Sequence, residues 1–528
     1  MAWNISRSEK RIRQFLQSVP ASVVTIETFD DRYARFRAGG PQALAMAGAS
    51  KSLFKVSDRE AVLVDGAHVY VQLTNYHSVL QDVIRQTEAR HRRALQFLHL
   101  HYAACDRIIQ EYGAQRVDFH GPRLHAVIAD PPGAQNERLR VARAVAFAQA
   151  IARMVEMTGG LVLNGEFATG TRIGIDSGKA IAVDSGRGSE PEPLFLGQPA
   201  NYAAKLAEGP ETGIYLSARA RQALALSIPF GEGRTEYNMR NAALSSMSGA
   251  TLDDQRIRTL SANVAYDMRD LGTKADFVFH RHTPPLRTID YVILSPSNSI
   301  HMELASIFAD IDGFTKYVDA CIAQGRASEL VSNLHAIRLE LAAVLKEDFD
   351  GRKVRFIGDC LHGVLAEGTS ASTDMSGTVL RGVMCAAAMR SSFDLCRDIL
   401  PNIHNLGIAI GVEIGPTPIT RLGIRGEYSV RCATSSAVST SEDLQGDCEG
   451  DETALGTQAL KVATIDVRRR FDVHGKAKDL TYEDAVSSIE GARFPTPAVR
   501  TAAGTSAGWI SQASSDHAIR STGSNRHA

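Results

Sequence analysis

A faint internal repeat restricts the fold of this 528-residue chain more than any single motif does. The segment RVDFHGPRLHAVIAD from Arg116 lies on KVRFIGDCLHGVLAE from Lys353, a shift of 237 residues (353 − 116), and keeps Val-x-Phe-x-Gly-x-x-Leu-His-x-Val. At the same shift RIGIDSG from Arg172 lies on AIGVEIG from Ala409, with Gly174 over Gly411 and Gly178 over Gly415. Upstream, HVYVQLTNYHSVL lies on SIFADIDGFTKYV, and Gln72 falls over Asp310 at a shift of 238 (310 − 72). One indel therefore separates the blocks. A repeat of this length means one fold used twice, which also suits a chain too long for one ordinary core.

Each copy reads as an apolar strand, a long helical stretch, a hairpin with a Gly-centred turn, a second helix and further strands. That alternation predicts an α/β class, specifically an α+β sandwich, in each half. In copy two the helical stretch is expected from about Tyr317 to Phe349, with Leu330, Leu334, Leu341 and Leu345 at helical spacing. A second helix is expected near Val379 to Ile399, followed by the strands LGIAIGVEIG and TRLGIRGEYSV. The expected divisions are 1–50, an N-terminal helical segment; 51–230, copy one; 231–286, a polar linker or partly ordered insertion; and 287–491, copy two. Residues 492–528 are rich in Ser, Thr, Ala, Gly and His and are expected to be a disordered tail.

Lys plus Arg number 58 against 59 for Asp plus Glu, so no global basic field exists to hold nucleic acid or an anionic membrane. The expected partner is a small molecule. Seven cysteines without a CxxC pair suggest neither a disulfide framework nor a zinc site. No stretch reaches the roughly 18 apolar residues of a membrane span, and the N-terminus lacks a signal-peptide pattern. A cytoplasmic location without membrane contact is expected.

In copy two, Asp310 ends the strand ELASIFAD and Asp359 occupies the turn of FIGDC, 49 residues later (359 − 310). Paired carboxylates at one sheet rim suit Mg²⁺ or Mn²⁺, which take their remaining ligands from water and substrate phosphates. Two such ions activate a hydroxyl and steady a leaving pyrophosphate. The backbone amides of Gly313, Phe314 and Thr315, at a helix start, are candidate phosphate donors. Alone, either Asp reads as readily as an acidic turn or a helix cap.

FADIDGFT, then FIGDCLHG, then GIAIGVEIG, in that order and spacing, resembles the class III adenylate and guanylate cyclases. The resemblance covers about residues 289–442 and, through the repeat, more weakly 61–206. It implies two diverged class III cyclase-type domains in tandem, forming a pseudo-heterodimer, with Asp310 and Asp359 holding two divalent ions and the Ile311 carbonyl assisting. The family needs a second half-site, an Asn and an Arg four residues apart on a helix. Copy one offers LGQPANYAAKL, which implies that Asn201 orients the ribose and Lys205 stabilises charge on the α-phosphate. Lys keeps the charge of Arg and loses its planar fork. Arg421 and Arg425 fall where family members often hold triphosphate oxygens.

The copies fail in complementary ways. Copy one has Gln72 and Pro122 at the metal positions, and copy two aligns Ser435 and Ser439 with the Asn and Lys. One complete site and one dead site result. The half-sites are free to pair within a chain, as an internal pseudo-dimer, or between chains of a homodimer.

Adenylate-making members read adenine with a Lys and an Asp, and here those positions fall on Asp118 and Leu194. An ionised Asp118 suits the N3–H of uracil or the exocyclic amine of cytosine or adenine. The missing adenine pair and the tandem copies resemble the pyrimidine cyclases of bacterial anti-phage signalling (Pycsar type). That resemblance implies a nucleoside triphosphate substrate, UTP before CTP, and a cyclic nucleotide that acts on a separate effector protein. The competing readings are an adenylate or guanylate cyclase and a nucleotide-binding regulatory module without turnover. A diguanylate cyclase needs a GG(D/E)EF turn, which FIGDC is not.

Overall fold

The computed structural model describes residues 3–38, 53–54, 56–80, 87–184, 193–226, 237–238, 252–272, 276–424 and 429–489. Two eight-stranded sheets share one strand order. The first runs Gln115–His120, Arg123–Ile128, Glu60–Leu73, Thr171–Asp184, Gly213–Leu216, Tyr237–Asn238, with Thr25–Thr28 and Pro193–Leu196 attached beside the path. The second runs Arg352–Ile357, Cys360–Leu365, Ser299–Asp312, Gly407–Leu422, Glu452–Leu455, Lys476–Lys478, with Phe279–His280 and Val430–Ala433 attached in the same way. Register reproduces the repeat: Gln72 pairs with Arg172 and Asp310 with Ala409, shifts of 238 (310 − 72) and 237 (409 − 172).

The central glycines of the repeat answer a steric demand. A Cβ on Gly174 would lie 2.1 Å from the Ala203 carbonyl oxygen, and one on Gly411 would lie 2.1 Å from that of Ser441. In each half a helix, Gln198–Ala207 or Ser436–Gly446, therefore rides directly on the middle of the sheet. Helices Glu88–Tyr112 and Glu137–Leu161 supply much of the first core, including Phe97, Ile108, Phe147 and Ile151, all fully buried. Met375–Ile399, capped by the Asp374 side chain, does the same for the second half.

Several expectations need correction. The N-terminal segment is not simply helical: Ile5–Ser18 and Phe29–Ala38 are helices, but Thr25–Thr28 between them pairs in parallel with Glu60–Leu63 in the first sheet. The long helical stretch breaks into Phe314–Ala323 and Ala327–Ala343, followed by a π-helical turn, Val344–Asp348. The two expected strands after the second helix are one, Gly407–Leu422. Apart from these corrections, the 231–286 segment includes a helix, Asp254–Asp267, whose Ile257, Leu260 and Val264 join the first core, which does not conflict with a partly ordered insertion. The expected tail, 492–528, lies outside the described residues.

The N-terminal segment touches both halves. Beyond its strand in the first sheet, helix Ile5–Ser18 inserts Arg11, 8% exposed, between two buried carboxylates of the second half. Its guanidinium lies 2.6 Å from Glu340 and 2.9 Å from Asp348. All seven cysteines are free thiols.

Candidate active site

The strand Ser299–Asp312 pairs with Cys360–Leu365 so that Ala309 faces Leu361, which brings Asp310 and the Asp359 turn to one edge of the sheet. The Ile311 amide is a hydrogen-bond partner of both carboxylates. Burial, with Asp312 beside it, pushes Asp310 up to about 6, and burial with Asp310 pushes Asp359 well above the usual carboxylate range. Two like charges share a half-buried rim without a countercharge sufficient to offset the loss of solvation. Among the described residues no group of three or more His, Cys, Asp or Glu side chains is arranged to hold a metal. Two carboxylates and a carbonyl nonetheless fit a hard divalent cation that completes its shell with water and phosphate oxygen.

The half-sites meet within one chain. Asn201 donates from Nδ2 to Thr315 Oγ1, and the Gln198 amide donates to Asp319 Oδ1 at 3.0 Å. Both contacts join helix Gln198–Ala207 of the first half to Phe314–Ala323 of the second, whose first turn holds the Gly313, Phe314 and Thr315 amides. Lys205, one turn beyond Asn201, is exposed. All of these residues, with Asp310 and Asp359, line a cavity of about 2010 Å³ between the two sheets.

Asp118 and Leu194 line the same cavity, Leu194 as a buried apolar wall. The Asp118 carboxylate is engaged by Arg355 of the second half, which also donates to the Phe119 and Arg431 carbonyls. The Asp118 carboxylate is therefore shared with a cation before any ligand reaches it. Arg421 lines the cavity while its guanidinium binds Ser429, with Nε to the hydroxyl at 2.9 Å. Burial, then Arg355, lowers its pKa. Arg425 lies outside the described residues.

At the matching position of the first half, which borders the same cavity, the polar groups pair with protein. Gln72 turns to the Leu73 carbonyl, and Pro122 accepts from the Leu73 amide at 2.9 Å. Around that turn, Glu442 of the second half binds His120 at 3.1 Å and Arg123 at 2.8 Å. The glycine contacts also fix the helix register: Gly174 meets Ala203 and Ala207, and Gly411 meets Ser441 and Gln445, an offset of 238 (441 − 203). Ser439 thus matches Asn201, and Asp443, not Ser439, matches Lys205 (205 + 238). Ser435 caps its helix, accepting from the Val438 amide at 3.2 Å.

Sequence reasoning passed over three groups here. Tyr70 stacks on His125 with ring centroids 4.2 Å apart, and both line the first-half wall of the cavity. Burial lowers the His125 pKa well below the usual histidine range. His68, Tyr70 and Gln72 alternate along one strand, which was the available signal. Arg355 lies 237 residues from Asp118 (355 − 118), so the repeat alignment already set opposite charges at equivalent positions. Arg338, 3% exposed, interrupts an otherwise apolar helix face and contacts the Asp359 turn.

Comparison with solved structures gives the class. A crystal structure described as a class III adenylyl cyclase-like ATP-binding protein from Pseudomonas aeruginosa superimposes with a TM-score of 0.82, at 36% identity, over 93% of this chain and 100% of that one. The fold is that of a tandem class III nucleotidyl cyclase. A protein named uridylate cyclase from a Rhizobium species is 53% identical over 484 residues, 89% of this chain and 92% of that protein. Another of that name from Pseudomonas aeruginosa is 37% identical over 500 residues, 92% of this chain and 91% of that protein. The chain belongs to this uridylate cyclase family and is a nucleotidyl cyclase. No protein-family model matches it. Among the described residues no helix is long and apolar enough to cross a membrane.

Proposed function

We propose that the chain converts UTP to cyclic UMP and pyrophosphate at the one complete site. The observation that carries this reading is the Asn201–Thr315 contact, which sets the helix bearing one half's Asn and Lys against the helix that follows the other half's Asp310 strand. Asp310, Asp359 and the Ile311 carbonyl would hold two Mn²⁺ or Mg²⁺ ions. Bound there, the ions would lower the pKa of the ribose 3′-hydroxyl and neutralise the departing pyrophosphate. Asn201 orients the ribose so that its 3′-oxygen faces the α-phosphorus. Lys205 receives the negative charge that grows on the α-phosphate oxygens as the 3′ O–P bond forms and the bond to pyrophosphate breaks. The first-turn amides from Gly313 to Thr315, with Arg421 and Arg425, take the triphosphate oxygens. Leu194 and Tyr70 supply apolar surface to the base, and Asp118 accepts its N3–H while Arg355 holds the carboxylate in place.

The names of the two relatives support uracil, and the ATP-binding description of the solved structure gives adenine as the second reading. Incubating the protein with each of the four nucleoside triphosphates and Mn²⁺, with products identified by mass spectrometry, separates them. Cyclic UMP is expected first, cyclic CMP next and cyclic AMP least. Dominant cyclic AMP or cyclic GMP would reject the pyrimidine reading and leave the cyclase. A cyclic nucleotide made by a chain of this kind would serve as a messenger to a separate effector protein, in keeping with the anti-phage systems that the sequence resembles.

A further inference from the structure

The turn that carries Asp359 has a counterpart in the first half, and the two are anchored alike except in charge. In the first half Tyr102 stacks on Phe119 at 4.2 Å and donates its hydroxyl to the Gly121 carbonyl at 2.6 Å. In the second half Arg338 lies over Phe356, 4.4 Å from the ring centroid, and donates from Nη2 to the Gly358 carbonyl. Phe356 and Gly358 each lie 237 residues beyond Phe119 and Gly121 (356 − 119; 358 − 121). Arg338 lies 236 beyond Tyr102 (338 − 102). The second half thus has one extra residue between anchor and turn, and the π-helical turn Val344–Asp348 accommodates a single inserted residue.

Both turn glycines are left-handed, φ 62° at Gly358 and φ 50° at Gly121. The Gly358 carbonyl belongs to the same peptide plane as the Asp359 amide, so a donor on that oxygen fixes the rotation of the peptide from which the carboxylate projects. A neutral donor suffices in the first half, where Pro122 follows the glycine. The second half uses a buried guanidinium, whose charge-assisted hydrogen bond is the stronger tether.

We propose that Arg338 is a positioning residue for the cyclase reaction: its charge-assisted hydrogen bond locks the Gly358–Asp359 peptide and so aims the carboxylate at the cation site. It acts through Asp359, and the inference rests on reading Asp310 and Asp359 as the metal carboxylates. Partners that orient a metal ligand typically change affinity or activity by about 10- to 100-fold when removed.

The test is Mn²⁺ titration followed by electron paramagnetic resonance, using the full chain with 3′-deoxy-UTP, which lacks the attacking hydroxyl. Arg338→Met should weaken Mn²⁺ binding by about 10- to 100-fold. In turnover its loss should be largely recovered at high Mn²⁺, which a merely structural lesion would not allow. Arg338→Lys should regain most of the affinity by restoring the charge. Arg338→Tyr, which copies the first-half anchor, should keep the fold and remain weak. Should Arg338→Met fail to fold, the Tyr and Lys variants carry the comparison. Asp359→Asn is the control: if it binds Mn²⁺ like wild type, the carboxylate reading fails. If it loses Mn²⁺ while Arg338→Tyr binds as tightly as wild type, the role of Arg338 is overturned and the carboxylate reading stands.

Discussion

The two hairpin turns, one per half, start from the same backbone and end with opposite electrostatics. At the Asp359 turn, burial and the like charges beside each group raise both carboxylates, Asp359 and Asp310, above their usual range. At the Pro122 turn, His120 and Arg123 receive a carboxylate, Glu442, from the other half. The Asp359 turn gathers like charge beside Asp310, whereas the Pro122 turn pairs its charges across the interface between the halves, and one cavity reaches both.

The largest effect that would break this contrast is at the carboxylates. Asp310→Asn or Asp359→Asn should lower kcat by at least about 10³-fold, the equivalent of several kcal/mol of lost charge stabilisation, while circular dichroism stays native. Gln72→Ala should change turnover by only a few-fold. A deep loss in Gln72→Ala would mean that the wrong turn has been taken as the live one.

The next largest effect is at the helix pair. Lys205→Ala should cut kcat by about 10²- to 10³-fold with a smaller change in KM, since its charge matters most as the α-phosphate passes through the transition state. Asp443→Ala, at the matching position, should leave both constants nearly unchanged. Equal effects from the two would remove the distinction between the halves.

Mixing sharpens the comparison further. Asn201 and Thr315 touch within one chain, so an Asp310→Asn chain mixed with a Lys205→Ala chain should recover no activity. Recovery in a steady-state assay would show that half-sites pair between chains in solution.

The smallest effect concerns stability. Burial alone would raise Glu442, but His120 and Arg123 hold it below the usual carboxylate range. A lowered folded pKa gives stability that is present above the unfolded value, near 4.5, and is lost as pH falls below it. Glu442→Gln should therefore destabilise the fold by about 1–2 kcal/mol at neutral pH, discounted for the half-exposed Arg123. The gap between mutant and wild type should narrow in urea melts taken below pH 4.5.

Much of this was legible in advance because it is local. Period-two alternation and turn glycines gave the hairpins, and the register of both sheets reproduces the 237 and 238 shifts. Asp310 and Asp359 were recognisable because strand ends and a tight turn put carboxylates on a rim whatever else the chain does. The helix match slipped by four residues, from 238 to 234, because the loops between strand and helix carry no pattern, and only the contacts at Gly174 and Gly411 set the register. The strand Thr25–Thr28 was missed because four residues of TIET carry little periodicity, and their pairing depends on a neighbour 35 residues away (60 − 25).

The sequence by itself determined the twofold repeat and the places of Asp310 at a strand end and Asp359 in a tight turn, because strand alternation and turn geometry are local steric and hydrogen-bonding demands. Tertiary structure decided what the charged residues do: Arg355 meets Asp118, Glu442 meets His120 and Arg123, and Arg338 meets the Asp359 turn. Each of these is a buried or half-buried charge whose partner is set by how one packed element docks on another, and an isolated cation in a sequence looks the same whether it ends in water or against a carboxylate.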